Sequence, residues 1–367
     1  MTEETRCDGP FPVFGSNGSV GNHNAYCVEG PGILVGRKGS VGKVHFCQTA
    51  FWPIDTVYYV RRLMQDDWGY IYYLLIFLKL DLLNAATGVP GLTRRDAHDI
   101  LGAFPEVGEQ RRISATLQLA DDAINKAQEE LGATQALKRS LLSGLLDRGL
   151  PGRHSEIVKT KKLTYPADWT LTKLKKCGIW SAGGTPDRET IAYYEGSSPW
   201  VKSGEVNYST ITETEEHLSD DGVKQTTCGV LPVGTLLIAM YGAGVTRGRV
   251  ALLGVEASTN QAVASFNGHE GVENEFIYYW FERNYQRVRA WAAGSNQDNL
   301  SGFLLKSLPI AMPDHDEQIE IVKPLKAADA AIRAVNERIE SLQRMKRSLL
   351  QNLLTGKIRI PEGVVHA

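Results

Sequence analysis

"EQRRISATLQLADDAINKAQEELGATQALKRSLLSGLLDRG", residues 109–149, returns 208 positions later as "EQIEIVKPLKAADAAIRAVNERIESLQRMKRSLLQNLLTGK", residues 317–357. Laid side by side without a gap, the two stretches agree at 17 of 41 positions, including the block "KRSLL" at 138–142 and 346–350. Repetition at a fixed period marks a duplicated structural unit. Both copies space their apolar residues by alternating steps of four and three, the seam of a coiled coil. In the second copy the seam is Ile321, Leu325, Ala328, Ile332, Val335, Ile339 and Leu342; in the first it is Ile113, Leu117, Ala120, Ile124, Ala127 and Leu131, weakening at Gly132 and Thr134. Helices from Glu109 to Leu146 and from Glu317 to Leu354 would each reach about 57 Å at 1.5 Å per residue. A narrow seam carried twice on one chain most simply pairs with itself, antiparallel; two unrelated surface helices are the plainer alternative.

Asp314 followed three residues on by Glu317 reads as a capping box, and "RGLPG" from Arg148 stops the first helix. Pro324 inside the second pattern implies a kink or a late helix start. The repeat also continues upstream: "IYY" at 71–73 answers "IYY" at 277–279, and "GKV" at 42–44 answers "GRV" at 248–250, both at an offset of 206. The repeating unit is therefore a globular domain followed by a long helix, used twice.

Within the globular parts, "GILVGRKGSVGKVHF" from Gly32 and "GTLLIAMYGAGVTRGRVALLG" from Gly234 each read as two strands around a glycine-rich, cationic loop. Neither loop is a nucleotide cradle. A P-loop needs glycine, four residues, then Gly-Lys-Ser/Thr; counting back from Gly42-Lys43 puts Arg37 at the first glycine, and Val44 has no hydroxyl. "GAGVTRG", residues 242–248, has one residue too many for a dinucleotide fingerprint. Glycine allows close approach of backbone to a ligand and flanking cations suit phosphate oxygens, but a tight hairpin with solvated cations fits the same residues.

A chain of 367 residues, 43% hydrophobic, suggests two or three folded domains. Its longest apolar run, "YIYYLLIFLKLDLL" from Tyr70, is broken by Lys79 and Asp81, so no membrane span is expected. The opening "MTEETRCDGP" lacks the basic-then-apolar order of a signal peptide. Five cysteines, at 7, 27, 47, 177 and 228, form no CxxC pair and imply reduced thiols in a cytoplasmic protein without a structural metal. The net charge of −2 does not announce a nucleic-acid binder. Residues 1–108 carry 9 basic and 11 acidic side chains and residues 166–310 carry 12 and 16, so any DNA contact must come from local loops.

These features together resemble the DNA specificity subunit of type I restriction-modification systems. The residues that carry the likeness are "PFPVFGSNGSVG" at 10–21, "ILVGRKGSVGKV" at 33–44, "SAGGTPDRE" at 181–189, "PWVKSGEV" at 199–206, the Pro-x3-Glu-Gln helix starts at Pro105 and Pro313, and the ends "LKRSLL" from Leu137 and "MKRSLL" from Met345. The resemblance implies an α+β protein with two globular mixed α/β target-recognition domains, separated by two long helices forming an antiparallel coiled coil, and an internal pseudo-two-fold repeat. It divides the chain into a first recognition domain at 1–108 without its usual opening, a first spacer helix at 109–150, a linker at 151–165, a second recognition domain at 166–313, a second spacer helix at 314–356 and a tail at 357–367. It implies a non-catalytic reader of a split site in double-stranded DNA, with two adenine-methyltransferase subunits and restriction-translocase subunits as partners and no cofactor. Helices about 57 Å long would bound the half-site separation at about 17 base pairs of 3.4 Å. The chain has no Asn-Pro-Pro-aromatic motif of an amino-methyltransferase and no nuclease signature around Pro186-Asp187 or Pro313-Asp314.

Arginine reads guanine and asparagine or glutamine reads adenine through bidentate bonds, while small hydroxyls and lysines suit phosphate. On that basis the candidate DNA contacts are Ser16, Asn17, Arg37, Lys38, Ser40 and Lys43 in the first domain, and Lys202, Ser203, Tyr241, Arg247, Arg249, Asn260 and Gln261 in the second. Trp200 reads better as core than as a contact. By the repeat offset Met1 answers a position near Ser203, leaving residues 167–202 without a counterpart; either the start is truncated or another segment, such as "KIRIPEGVVHA", fills the place. Two other functions fit the residues: a coiled-coil protein-interaction scaffold, and a specificity subunit with one working recognition domain.

Overall fold

The two seams fold as anticipated into the two longest helices of a mixed α+β protein, Val107–Arg148 and His315–Leu354. The computed structural model describes residues 3–83, 91–161, 163–242, 245–292 and 300–362. No described helix is long and apolar enough to cross a membrane. The chain divides into two compact units, one made of Met1–Glu130 with Val335–Ala367, the other of Leu131–Ala334. Each unit thus owns one globular part, half of the first long helix and half of the second.

In the first unit the apolar, β-branched run of Gly32–Gly36 is wholly buried and lies between Val44–Cys47 and Val57–Tyr59 in an antiparallel sheet. A smaller sheet places Phe11–Gly15 between Gly18–His23 and, in parallel, Trp52–Pro53. The helix Trp68–Phe77, capped by the Asp67 carboxylate accepting from the Tyr70 N–H, packs on the first sheet. Its other side meets the long-helix segments in a core built from Tyr70, Tyr73, Ile113, Leu117, Leu353 and Leu354. Ion pairs Asp121–Lys346 and Glu130–Arg338 fix the two segments antiparallel, because the partner number falls as the first rises.

The second unit repeats the plan with a larger sheet, ordered Gly178–Ala182, Val263–Gly268, Leu236–Ala239, Val250–Leu253, Thr210–Ile211. A second sheet sets Ser198–Val201 between Glu216–Leu218 and, in parallel, Ser258–Thr259. Pro309–Met312 pairs with Thr170–Lys173, and the helix Asn274–Arg283 covers the large sheet. The core joins Leu142, Leu145, Phe276, Phe281, Ile321 and Leu325. Lys138–Asp329 is the ion pair here, and it is the Asp121–Lys346 pair of the first unit carried through the 208-residue repeat with the roles of the two helices exchanged.

Three expectations change on contact with the structure. The Glu317 N–H donates to Asp314 Oδ1 at 2.8 Å, but the Glu317 side chain does not reach back to complete a capping box. It turns inward, 2% exposed, and accepts from the Leu150 N–H, His154 Nε2 and Trp169 Nε1. Pro324 does not delay the helix, which begins nine residues earlier at His315, within reach of the Asp314 cap. The fixed offset also misplaces the counterpart of the first strand. Val13 lies parallel to Trp52 as Trp200 lies to Ser258, so Phe11–Gly15 answers Ser198–Val201 at an offset of 187. Loops of unequal length had broken the register.

The "EQ" at the start of each long helix has a shared task. The Gln110 side-chain amide donates to Pro105 O and its oxygen accepts from the Asp67 N–H at 2.8 Å; Gln318 does the same with Pro313 O and the Glu273 N–H at 2.9 Å. Each glutamine ties a long helix to the start of the short helix beside it, and each is buried at 1–2% exposure, where an unmade bond would be expensive.

Candidate nucleic-acid interface

In both units the glycine-rich stretch is a tight hairpin closed by the same two hydrogen bonds. In the first, the Gly36 N–H donates to Lys43 O and the Gly42 N–H to Gly36 O, both at 2.8 Å. In the second, the Ala239 N–H donates to Arg249 O and the Gly248 N–H to Ala239 O. Gly42 (φ +73°) and Gly248 (φ +86°) supply the left-handed turn that only glycine adopts without strain, and a Cβ on Gly42 would stand 2.2 Å from the Asp81 nitrogen. The intervening loops differ: five residues, 37–41, against eight, 240–247. Ala243 and Gly244 lie outside the described residues.

The residue after each of these glycines is a cation that reaches an asparagine. Lys43 Nζ donates to Asn17 Oδ1 at 2.8 Å, and the Arg249 guanidinium donates to Asn207 Oδ1 at 2.6 Å. In the first unit this brings the turn holding Ser16 and Asn17 against the loop of Arg37, Lys38, Ser40 and Lys43: Gly39 stands next to Ser16 Oγ, and His45 Nε2 lies 3.1 Å from Ser16 O. All six candidates of the first unit therefore share one cluster. Arg37 and Arg94 both lie over the Tyr58 ring, at 5.6 and 6.0 Å from its centre. Arg94 and Tyr58, which nothing in the sequence singled out, thus belong to the same cationic surface.

The seven candidates of the second unit lie along the strand ends as two neighbouring groups. Arg247 and Arg249 stand on the hairpin beside Tyr285 and Arg289: the Arg289 guanidinium donates to Arg247 O at 3.0 Å, and the Tyr285 hydroxyl donates to Val245 O. Lys202 and Ser203 follow Ser198–Val201, while Asn260 and Gln261 follow Ser258–Thr259, and the Asn260 N–H donates to Val201 O at 3.0 Å. Tyr241 joins the groups, since the adjacent Met240 N–H donates to Ala262 O. Gln261 accepts from Thr185 of the "SAGGTPDRE" stretch, and Gly183 is pressed so close to Thr259 that a Cβ would lie 2.0 Å from its oxygen.

Electrostatics divide these groups. Lys202 Nζ sits 2.7 and 2.9 Å from Glu215 and Glu216, whose hydrogen bonds raise its pKa. Arg188 in turn bonds Glu216 and holds that carboxyl below the usual range. Lys202 and Arg188 therefore spend their charge inside the protein, and a phosphate there would first have to displace a carboxylate. Arg249 bonds a neutral asparagine and Lys43 does likewise, so both keep their full charge for an anion. Trp200 is 1% exposed and donates to Gly184 O at 3.2 Å, with Arg188 5.0 Å from its ring centre; it is core, as expected, despite an amphipathic ring that could have served a contact.

Residues 166–344 match the protein family described as "Type I restriction modification DNA specificity domain". The MjaIX type I restriction enzyme specificity subunit of Methanocaldococcus jannaschii is 27% identical over 203 residues, 54% of this chain and 46% of that protein. The MjaVIII specificity subunit of the same organism is 24% identical over 311 residues, 82% of this chain and 72% of that protein. The matched stretch thus spans less than half of the first relative's length. The crystal structure of the S subunit of a type I restriction-modification system from M. genitalium superimposes with a TM-score of 0.64 at 15% identity, covering 96% of this chain and 91% of that one, a likeness of fold.

Proposed function

We propose that this chain, which belongs to the specificity-subunit family of type I restriction-modification systems, reads a bipartite site in double-stranded DNA and performs no chemistry itself. Each globular part reads one half-site with its cationic hairpin. The observation that carries the reading is the duplicated hairpin: a positive-φ glycine followed by a cation held on an asparagine, Lys43–Asn17 in one unit and Arg249–Asn207 in the other. Lys43 and Lys38 contact phosphate, while Arg37, Arg247 and Arg249 have the fork that reads guanine, and Asn17, Asn260 and Gln261 the amide that reads adenine. Ser16, Ser40, Lys202, Ser203 and Tyr241 position the backbone around them. The mildly acidic whole makes binding depend on these few loops, and hence on salt. The long helices act as an antiparallel coiled-coil spacer, and their matched halves offer equivalent surfaces to two adenine-methyltransferase subunits, with restriction-translocase subunits completing the assembly.

Co-expression with the cognate methyltransferase subunit, followed by single-molecule sequencing for methylated adenine, tests this. A split motif with a fixed gap is expected, and Arg247→Ala should degrade one half of it alone. A stable complex that methylates nothing, or a motif with only one defined half, would count against two working readers.

A further inference from the structure

The loop residues that follow Gly36 and Ala239 are held in the same way in both units. The Arg37 N–H donates to Thr56 O and its carbonyl accepts from the Leu92 N–H, both at 2.9 Å. Met240 does likewise with Ala262 O at 2.8 Å and the Leu300 N–H at 3.1 Å. After each leucine comes a hydroxyl cap, Thr93 accepting from the Asp96 N–H and Ser301 from the Leu304 N–H, and then a short helix, Arg94–His98 or Gly302–Ser307. The strand pairing completes the match, since Tyr58 lies opposite Val35 as Ala264 lies opposite Ile238. Three positions of the first unit, Arg37, Tyr58 and Arg94, therefore answer Met240, Ala264 and Gly302 of the second.

The side chains at these positions differ in kind. Met240 and Ala264 are core residues, 4% and 2% exposed, and Gly302 has no side chain to offer. The shared frame thus forms without a charge at either end and without a ring between them. In the first unit two guanidiniums instead lie over one phenol ring, 5.6 and 6.0 Å from its centre. The Tyr58 hydroxyl donates to Leu92 O at 3.1 Å, which fixes the ring and ties it to the segment that carries Arg94. Arg94 is exposed and Arg37 half-buried. The neighbouring Arg95 pairs with Asp99 at 3.7 Å, whereas among the described residues no carboxylate pairs with Arg37, Lys38 or Arg94. Like charges gathered without a counter-charge repel one another, and an electron-rich ligand relieves that repulsion.

We infer that Arg94 is a further specificity-determining residue, and that with Arg37 it forms a guanine-reading pair peculiar to the first unit. The inference rests on the reading of the chain as a DNA-specificity subunit and deepens it. Guanine presents two acceptors, O6 and N7, on its major-groove edge, and a guanidinium fork meets both at once. Contact with the Tyr58 ring restrains each fork before DNA arrives, so less rotamer freedom is lost on binding. A phosphate contact needs charge but no oriented plane, and the exposed Lys38 and Lys43 supply charge on the same surface. Tyr58 is a positioning residue here, acting through the two arginines. The two half-sites are then read from one frame by different chemistry.

Sequencing of methylated adenines in genomic DNA, from cells co-expressing the full chain with its methyltransferase subunit, tests this. The wild-type chain reports on DNA reading as such, and the variants report on Arg94. Arg94→Ala should relax a G·C position in one half of the split motif, raising methylation at sites substituted there by roughly tenfold relative to the intact site, while the other half stays as it was. Arg94→Lys, which keeps the charge without the fork, should relax the same position, as should Tyr58→Leu, which leaves both cations but removes their shared ring. A split wild-type motif that Arg94→Ala leaves unchanged overturns this inference alone. So does a uniform loss of methylation at every site that Arg94→Lys restores, which would make Arg94 a phosphate contact. A wild-type chain that directs no split motif overturns the reading of the chain together with this inference.

Discussion

Lys138 shows what the repeat conserves and where it diverges. Its ammonium lies 2.6 Å from both Glu282 and Asp329, all three side chains at least four-fifths buried, and it sits over the Tyr279 ring, whose hydroxyl donates to Asp329 at 2.8 Å. Burial raises the Glu282 pKa, and Lys138 opposes that rise. In the first unit Lys346, Asp121 and Tyr73 repeat the arrangement without a second carboxylate. Removing one partner of a buried pair typically costs about 3–5 kcal/mol. Lys138→Ala should therefore destabilise the second unit by that order, and more than Lys346→Ala destabilises the first. Lowering the pH should recover part of the loss by protonating Glu282. Denaturant unfolding at pH 7 and pH 5 measures both effects; equal losses that ignore pH would refute this account. His154 adds a second pH dependence of the same sign. Burial alone would lower its pKa, but hydrogen bonds to Glu317 and Asp168 outweigh burial and raise it above the ordinary value. A raised histidine contributes stability that is complete below its unfolded value of about 6.5 and fades as pH climbs through the folded one. The melting temperature should thus fall above pH 6.5, and His154→Gln should flatten that slope. All the residues of the paired networks except Glu282 lay within identical blocks of the repeat. The identities of their partners did not, because a contact over more than 140 positions leaves no periodic mark in the sequence.

The long helices were the most legible part of the fold. Ile113, Leu117, Ile321 and Leu325, chosen from spacing alone, are each at most 1% exposed. Leu117→Ala should cost about 2–5 kcal/mol, the range for emptying a packed leucine site, and chemical denaturation followed by helical circular dichroism would show it. A cost under 1 kcal/mol would mean that the seam is not what holds the first unit. Hairpins were legible too, since glycine punctuates them, but their equivalence was obscured. The opening strands of the two hairpins are offset by 203, the closing strands by 206 and Phe11–Gly15 by 187, so no single frame aligns them. The candidate contacts inherit this limit. The first unit's six form one cluster because two turns happen to meet, whereas Lys202 proved to be neutralised by Glu215 and Glu216, a fact that needed the fold of residues 198–218.

Composition set bounds on the protein without locating its function: the charge excess is acidic, and Lys43 and Arg249, each held on an asparagine, sit on two short hairpins. The division into units has one more outcome. The second unit is a single continuous stretch, Leu131–Ala334, while the first is assembled from two stretches that flank it, and its core needs Leu353, Leu354 and Ile360. On the ribosome the second unit can close as soon as its own residues have emerged. The first must keep Ile113, Leu117 and Tyr73 uncovered through the synthesis of more than 200 further residues. That interval is a window of exposure to chaperones and proteases, and pulse-labelled nascent chains should gain protease resistance in the middle of the sequence before its beginning.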